Sequence, residues 1–579
     1  MDNRISRRTL VVASAVAVTT THRMTSSVFA SNRVPLPIPE SPLGRQIAWA
    51  LSLFTGNATG LTEAIVKTHF DPSMLAQLSA PALIASLDRA SAQLGPITAV
   101  AFIQAPSETS AVIEIEANSG DRFAITIVTT GGPADLISIL TFRPLSAGAT
   151  PMASPAASID VPDTAAGRQL TWLLGLLSGA PVSLSAGDLA QHFSAQFIPA
   201  VGAAALNASL LQLSVGYGPF TLESFVNPPS ESSAVAIITD EKDARFKVAI
   251  TVAANPPNVI EGLLIDAAAS TEAAPSWDAF NAEWKGFAAS SAFYVVELTA
   301  AGALVIAGSD ETNPFAIGST FKLYVLGALA LEIEAGQMTW DDKLAIRDDW
   351  KSLPSGEFQN QPAGTEFTLR QYAEKMISIS DNTAADHLLR HVGRTSVETA
   401  MAYMGHANPR LNSPFLTTRE LFALKLAADA ATLKEFVQAD GLGRVGLLPA
   451  IDALTPTLAS ATAWKTPRYI NQLEWFASCN DLANALAWLH NKGSSRNLAP
   501  VLDILKVNPG VALDDKTWPY VAYKGGSEPG VLTPSWLLRS ASNRTFVVSG
   551  ALNDTKSTID EASAITSITK AINLLGRSL

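Results

Sequence analysis

Cysteine is nearly missing from this chain: Cys479 is the one thiol in 579 residues. A disulfide within the chain is excluded, and so is a cysteine-rich structural zinc site. Histidine is sparse too, at seven residues with no clustering with cysteine that suggests a metal site, so the sequence implies neither a metal nor a cofactor. Charged residues make up only 16% and balance to -12, which argues against a nucleic-acid partner, since phosphates demand a basic surface. Apolar runs long enough to span a bilayer are absent, so no stable membrane span is expected. What the chain has in quantity is apolar residue, 47%, enough for about three domains with cores of their own.

Residues 1–30 differ from the rest. Arg4, Arg7 and Arg8 precede the apolar run Leu10 to Val18, and Val28, Phe29 and Ala30 supply a cleavage site, the pattern of an export signal. Ser6-Arg7-Arg8-Thr9-Leu10 resembles the twin-arginine type, which carries folded proteins and suits a chain without disulfides. A periplasmic or secreted protein is expected. Residues 31–42, rich in proline, read as a linker.

Two stretches then repeat each other. Gly44-Arg45-Gln46 and Trp49 recur as Gly167-Arg168-Gln169 and Trp172; His69-Phe70 recurs as His192-Phe193, and Arg122-Phe123 as Arg245-Phe246. A constant offset without insertions indicates a duplicated domain rather than a solenoid unit. Each copy opens with helical periodicity (Ile47, Trp49, Ala50, Leu51, Phe54) and closes with alternating segments such as Ala111 to Glu116, so each is expected to be α+β, over 43–144 and 166–266. The repeated histidines read as helix-end packing residues. Ala/Ser/Pro-rich linkers are expected at 145–165 and 267–276.

From residue 277 the pattern changes. An amphipathic helix (Phe280, Trp284, Phe287) leads to the strands Phe293 to Leu298 and Leu304 to Ala307. Next, Thr320 to Leu331 is apolar on every face, the mark of a buried helix, yet it contains Lys322. Lysine is almost never buried without a reason. Ser319 stands one helical turn before it, so hydroxyl and amine can meet, and desolvation would lower the amine's pKa and make it a base for a serine nucleophile. Further on, Thr368 and Gln371 open a helix with a capping box, Ser380-Asp381-Asn382 interrupts it, and Asp381 can cap the helix that follows. Finally Tyr520 to Tyr523 reads as a strand running into Lys524-Gly525-Gly526-Ser527, where the glycines allow close backbone approach.

Ser319-x-x-Lys322, Ser380-Asp381-Asn382 and Lys524-Gly525-Gly526, in this order and on a helix, a helix break and a strand, resemble the penicillin-recognising serine enzymes, the class A β-lactamases above all. The resemblance covers 277–579 and implies an antiparallel sheet flanked by helices plus an all-helical part. It also implies the roles: Ser319 as nucleophile, Lys322 as its base, Ser380 as proton relay, Asn382 holding the substrate amide, Lys524 at the substrate carboxylate, and the N-H groups of Ser319 and Ser527, beside Gly526, as oxyanion hole. Two features depart from the family: Gly525 stands where a hydroxyl residue is usual, and no glutamate is evident for activating the deacylating water. Glu474 is the best acid for that task, its alternative being a structural role at the helix start near Asp481. The amino-terminal units resemble the steroid isomerase and polyketide cyclase group, with helices on a curved sheet. Such units before a class A-like domain also resemble the β-lactamase-like proteins of clavulanate biosynthesis. The expected activity is therefore hydrolysis of a small-molecule β-lactam, amide or ester through a Ser319 acyl-enzyme. An esterase or peptidase of the same mechanism, and a non-catalytic binder using the repeats, remain as alternatives.

Overall fold

The computed structural model describes residues 36–579 apart from 55–60, 73–74, 76–79, 104–105, 107–108, 119, 131–134, 146–158, 179–183, 185, 199–202, 242, 354 and 463. The expected export signal and the middle of the first Ala/Ser/Pro linker lie outside the described residues. The chain divides into two compact units, one running to Ile265 and the other from Asp266 to Leu579 together with Asp243–Phe246.

In the amino-terminal unit the helices Pro42–Ser52, Glu63–His69 and Ala80–Leu94 precede four strands, β1 (Ile97–Phe102), β2 (Ser110–Ala117), β3 (Arg122–Thr129) and β4 (Ile137–Leu145). These pair in sequence order, antiparallel throughout. The helices Ala165–Ser178, Ala186–His192 and Ala203–Tyr217 precede β5 (Thr221–Asn227), β6 (Ser233–Thr239), β7 (Arg245–Val252) and β8 (Ile260–Ala267), again in sequence order. The alternating residues Ile113, Ile115, Ile125 and Ile127 are fully buried, which is why a sheet with one helix-covered face forms here.

The two histidines do the same structural task. His69 Nδ1 lies 2.9 Å from Gln46 Oε1 and its ring stacks on Trp49 at 3.8 Å; His192 lies 2.9 Å from Gln169 Oε1 and stacks on Trp172 at 3.7 Å. Burial lowers both imidazole pKa values, and each ring clamps the first helix of its repeat to the second.

The carboxy-terminal unit is built on a five-stranded antiparallel sheet in the order β10-β9-β17-β16-β15. Its strands are β9 (Ser290–Thr299), β10 (Gly302–Ser309), β15 (Tyr520–Glu528), β16 (Val531–Arg539) and β17 (Thr545–Asn553); the two-residue or three-residue strands β11 (Phe315–Ala316), β12 (Lys343–Ala345), β13 (Glu366–Thr368) and β14 (Phe476–Ala477) pair outside it. Strand alternation divides the burial between two cores. Phe293 and Val295 pack with Trp284 and Ile568 from the helices Trp277–Lys285 and Glu561–Gly576. Tyr294 and Val296 face the other core, which holds the helix Lys322–Glu334 and the helical part between Leu369 and Leu489. Among the described residues no helix is long and apolar enough to cross a membrane.

The expected capping box is present: Thr368 Oγ1 accepts from the Gln371 N-H at 3.2 Å, and Gln371 Oε1 accepts from the Thr368 N-H at 2.8 Å. It starts the helix Leu369–Ser378, whose far end delivers Ser380. Thr368→Ala is expected to lower stability by about 1 kcal/mol. Chemical denaturation reads this as a lower midpoint at unchanged slope.

Candidate active site

The Ser319 turn is tighter than the helix expected from Thr320 onward: Gly318–Phe321 is a 3-10 turn, and the α-helix proper starts at Lys322. Gly318 opens it at φ +46°, where a side chain would be strained. Thr320 fixes the turn to the sheet, its Oγ1 bonding Thr533 O at 3.0 Å, while Thr533 Oγ1 donates to Ile317 O at 2.7 Å.

Lys322 is fully buried and its amine is held by oxygen on every side. Nζ lies 2.6 Å from Ser380 O, 2.6 Å from Asn382 Oδ1, 3.1 Å from Ser380 Oγ and 3.3 Å from Ser319 Oγ. The first two oxygens can only accept, so they take two of the amine's hydrogens. The third position of the nitrogen faces two hydroxyls, which can either accept a proton or donate one. The arrangement therefore accommodates ammonium and free amine alike, as a base that takes and returns a proton requires.

The helix break carries this cradle. Ser380 sits at φ +55°, a conformation that costs a non-glycine residue about 1–2 kcal/mol, and it turns the Ser380 carbonyl onto Lys322. Asp381 holds the turn: its fully buried carboxylate accepts from the N-H groups of Glu357, Phe358 and Ala384 at 2.6, 2.9 and 2.8 Å. Burial pushes the Asp381 pKa up, and these three bonds oppose the shift. Ser355 Oγ adds a donor to Ser380 O at 2.6 Å, and Leu353 O takes the Asn382 amide N-H at 3.0 Å, which fixes the amide oxygen toward Lys322.

β15 supplies the third side. Lys524, also buried, donates to Ser380 Oγ at 3.1 Å, so two lysines meet at one hydroxyl. Gly526 lies against the Ser319 turn: a methyl there would sit 2.0 Å from Ile317 O and 2.7 Å from the nitrogens of Ser319 and Thr320. A methyl on Gly318 would lie 3.1 Å from the Ser527 nitrogen. The backbones carrying the N-H groups of Ser319 and Ser527 are thus brought side by side, and Ser527 itself is exposed.

Glu474 is placed differently. Its side chain is fully buried and bonded to Lys425 at 2.5 Å, with the Trp475 N-H at 3.1 Å; Lys425 in turn reaches Glu528 at 2.6 Å. These contacts make Glu474 part of a buried ion cluster of its own. Sequence reasoning missed Lys425, Glu528, Ser355 and Gly318. Glu528 alone left a signal, since it shares the strand face of Lys524 and Gly526 by alternation. Among the described residues no group of three acidic, histidine or cysteine side chains could hold a metal.

Burial, and then the charge of Glu474, hold the Glu528 carboxyl well above the usual glutamate range. A folded pKa above the unfolded one means that this contribution to stability is whole below the ordinary glutamate value and is lost as pH rises through the raised value. Glu528→Gln, neutral at every pH, is expected to lose less Tm than wild type as pH rises above the ordinary glutamate value of about 4.3. Parallel declines in the two melting series would contradict this.

Three comparisons bear on the chain. The model of a family described as the ORF 12 gene product N-terminal matches residues 38–132 and again 161–256. Solved structures similar to this chain include a β-lactamase from Sphaerobacter thermophilus (19% identity, 52% of this chain and 99% of that one, TM-score 0.38). A class A β-lactamase from Mycobacterium abscessus (15%, 52% and 99%, 0.36) and the protein PBP-A (15%, 54% and 100%, 0.37) are further ones. No curated protein matches. The model of the beta-lactamase enzyme family matches residues 275–574, which include every residue of the site above. With 300 of its 579 residues in that match, the chain belongs to the beta-lactamase enzyme family.

Proposed function

We propose that the protein is a serine hydrolase that works through an acyl-enzyme on Ser319, with β-lactams or related amides and esters as substrates. The observation that carries this reading is the unbroken line of polar atoms from Ser319 Oγ to Lys322 Nζ (3.3 Å), Ser380 Oγ (3.1 Å) and Lys524 Nζ (3.1 Å). Lys322 takes the Ser319 proton as the oxygen attacks the carbonyl carbon, and the carbonyl electrons move onto oxygen. The N-H groups of Ser319 and Ser527 receive that oxyanion. On collapse the leaving nitrogen or oxygen takes a proton from Ser380, which Lys322 replenishes. Lys524 holds the field around Ser380, and Asn382 orients the substrate amide while keeping the Lys322 amine in place.

Return to free enzyme needs a water activated at the ester of Ser319. Glu474, the acid the sequence offers, is engaged by Lys425 and Glu528, and this supports slow deacylation. We also take the two amino-terminal α+β segments as a duplication, since one family model matches twice, starting at 38 and at 161. The amino-terminal residues are read as a signal for export.

Intact-mass measurement after mixing with benzylpenicillin tests this reading. The expected result is an adduct of the penicillin's mass, absent from Ser319→Ala, that forms within seconds to minutes and clears slowly. Rapid clearing with steady hydrolysis would contradict slow deacylation. A wild-type protein left unmodified by penicillins, cephalosporins and activated esters alike would contradict the whole mechanism.

A further inference from the structure

Lys425, Glu474 and Glu528 form a buried charge cluster that none of the roles above uses. Burial alone would lower the Lys425 pKa, but the charges of Glu474 and Glu528 outweigh it and the value rises, so the nitrogen stays an ammonium. Trp464 closes over it, its ring centre 5.3 Å from Nζ. Such a cluster is a poor source of stability, because apolar residues of the same volume often do as well; what it can supply is a fixed geometry. Two routes carry that geometry to the nucleophile's end of the unit. Along the first, Glu474 Oε2 accepts from the Trp475 N-H at 3.1 Å, Trp475 O accepts from the Ile317 N-H at 2.9 Å, and the Trp475 ring stacks on Phe321 at 3.9 Å. Residues on both sides of Ser319 thus rest on the neighbour of Glu474. Along the second, Glu528 follows Ser527 directly and makes the last pair of β15, opposite Val531, where sheet pairing stops holding the strand. The ammonium itself is tied down from the helical side. Lys425 stands in the last turn of the helix Thr418–Leu426, whose Thr418 and Arg419 N-H groups donate to Asp386 at 2.7 and 2.9 Å, and Asp386 belongs to the helix Asn382–Val392.

We propose that Lys425 is a positioning residue: by holding Glu474 and Glu528 at once, its ammonium sets the spacing between the N-H groups of Ser319 and Ser527 that receive the oxyanion. This rests on the acyl-enzyme reading given above. The glycines at 318 and 526 let the two backbones come close, but van der Waals contact limits only how near they lie, not how far apart they drift. The cluster supplies the pull, with one carboxylate behind each segment at 2.5 and 2.6 Å from the same nitrogen. Oxyanion donors act within a few tenths of an ångström of their best distance, and the oxyanion exists only as the carbonyl is attacked. Loosening the clamp therefore slows the chemical step while leaving the binding of intact substrate alone.

The test follows acylation of Ser319 by a fluorescent penicillin over a range of concentrations, and in parallel the affinity for phenylboronic acid, which adds to a serine oxygen as a tetrahedral anion. Lys425→Met combined with Glu474→Gln and Glu528→Gln removes the clamp without stranding a buried charge. The limiting acylation rate is expected to fall about tenfold or more and the boronic acid to weaken by a similar factor, with the half-saturating penicillin concentration unchanged within about twofold. A folded variant that keeps the wild-type limiting rate and boronic acid affinity overturns the proposal. A loss confined to the half-saturating concentration overturns it too, since a merely loosened site gives that result. Should the triple variant not fold, Glu528→Gln alone cuts one ionic arm at constant size: a smaller loss of the same kind supports the clamp, and wild-type behaviour overturns it. The acyl-enzyme reading is judged apart, by the wild-type adduct. Its absence sinks that reading and this proposal together, whereas an adduct formed at one limiting rate in wild type and variants sinks the clamp alone.

Discussion

A lysine amine with no access to water is the constraint from which the carboxy-terminal unit follows. Burying a charged or strongly polar nitrogen costs several kcal/mol unless the interior supplies its partners. Around the amine the helix Lys322–Glu334 presents buried apolar residues, its carboxylates Glu332 and Glu334 standing at the far end, so the closest partners come from elsewhere. They come from the break at Ser380, whose carbonyl is aimed inward by a left-handed residue, and from Asn382 two positions on. The break is in turn held by Asp381, whose three backbone donors come from two different segments. Gly356, at φ +102°, has to be glycine for this to close, because a side-chain carbon there would lie 2.2 Å from the Asp381 carboxyl carbon. The strain at Ser380 is thereby stored in the place where it positions the Lys322 amine and the Ser380 hydroxyl.

The sheet edge is shaped by the same need for close approach. β15 carries glycine at 525 and 526 for opposite reasons that follow from strand alternation. Inward, Gly526 lets the strand backbone touch the Ser319 turn; outward, Gly525 makes room for a tyrosine hydroxyl. Lys524 lies between them and reaches Ser380, while Glu528 continues the inward face into the pair with Lys425. One strand thus joins the Ser319 turn, the Ser380 hydroxyl and a buried ion cluster, and movement of it disturbs all three.

Much of this was legible in the sequence, and the boundary is physical. Lys322 stood out because periodicity predicts burial and chemistry forbids an idle charge there. The capping pair Thr368 and Gln371 and the cap at Asp381 are local, so they are read from neighbouring residues. Contacts closed by the fold were not legible: Lys425 meets Glu474 and Glu528 across 49 and 103 residues of chain, and nothing local announces either. That is why Glu474 stood in the sequence as a candidate water-activating acid, whereas in the fold its carboxylate belongs to an ion cluster. The left-handed turn at Ser380 was legible only as a break, since φ is decided by the carbonyl's need to face the amine.

The central claim is that Lys322 is the base for Ser319, so the most direct measurement is the second-order rate of Ser319 acylation by a fluorescent penicillin in wild type and in Lys322→Met. Methionine keeps the volume and is tolerated in an apolar surround, so the melting temperature checks that the fold survives. The account predicts a rate lower by about a hundredfold or more in a folded variant. A folded Lys322→Met protein acylated at the wild-type rate would contradict it.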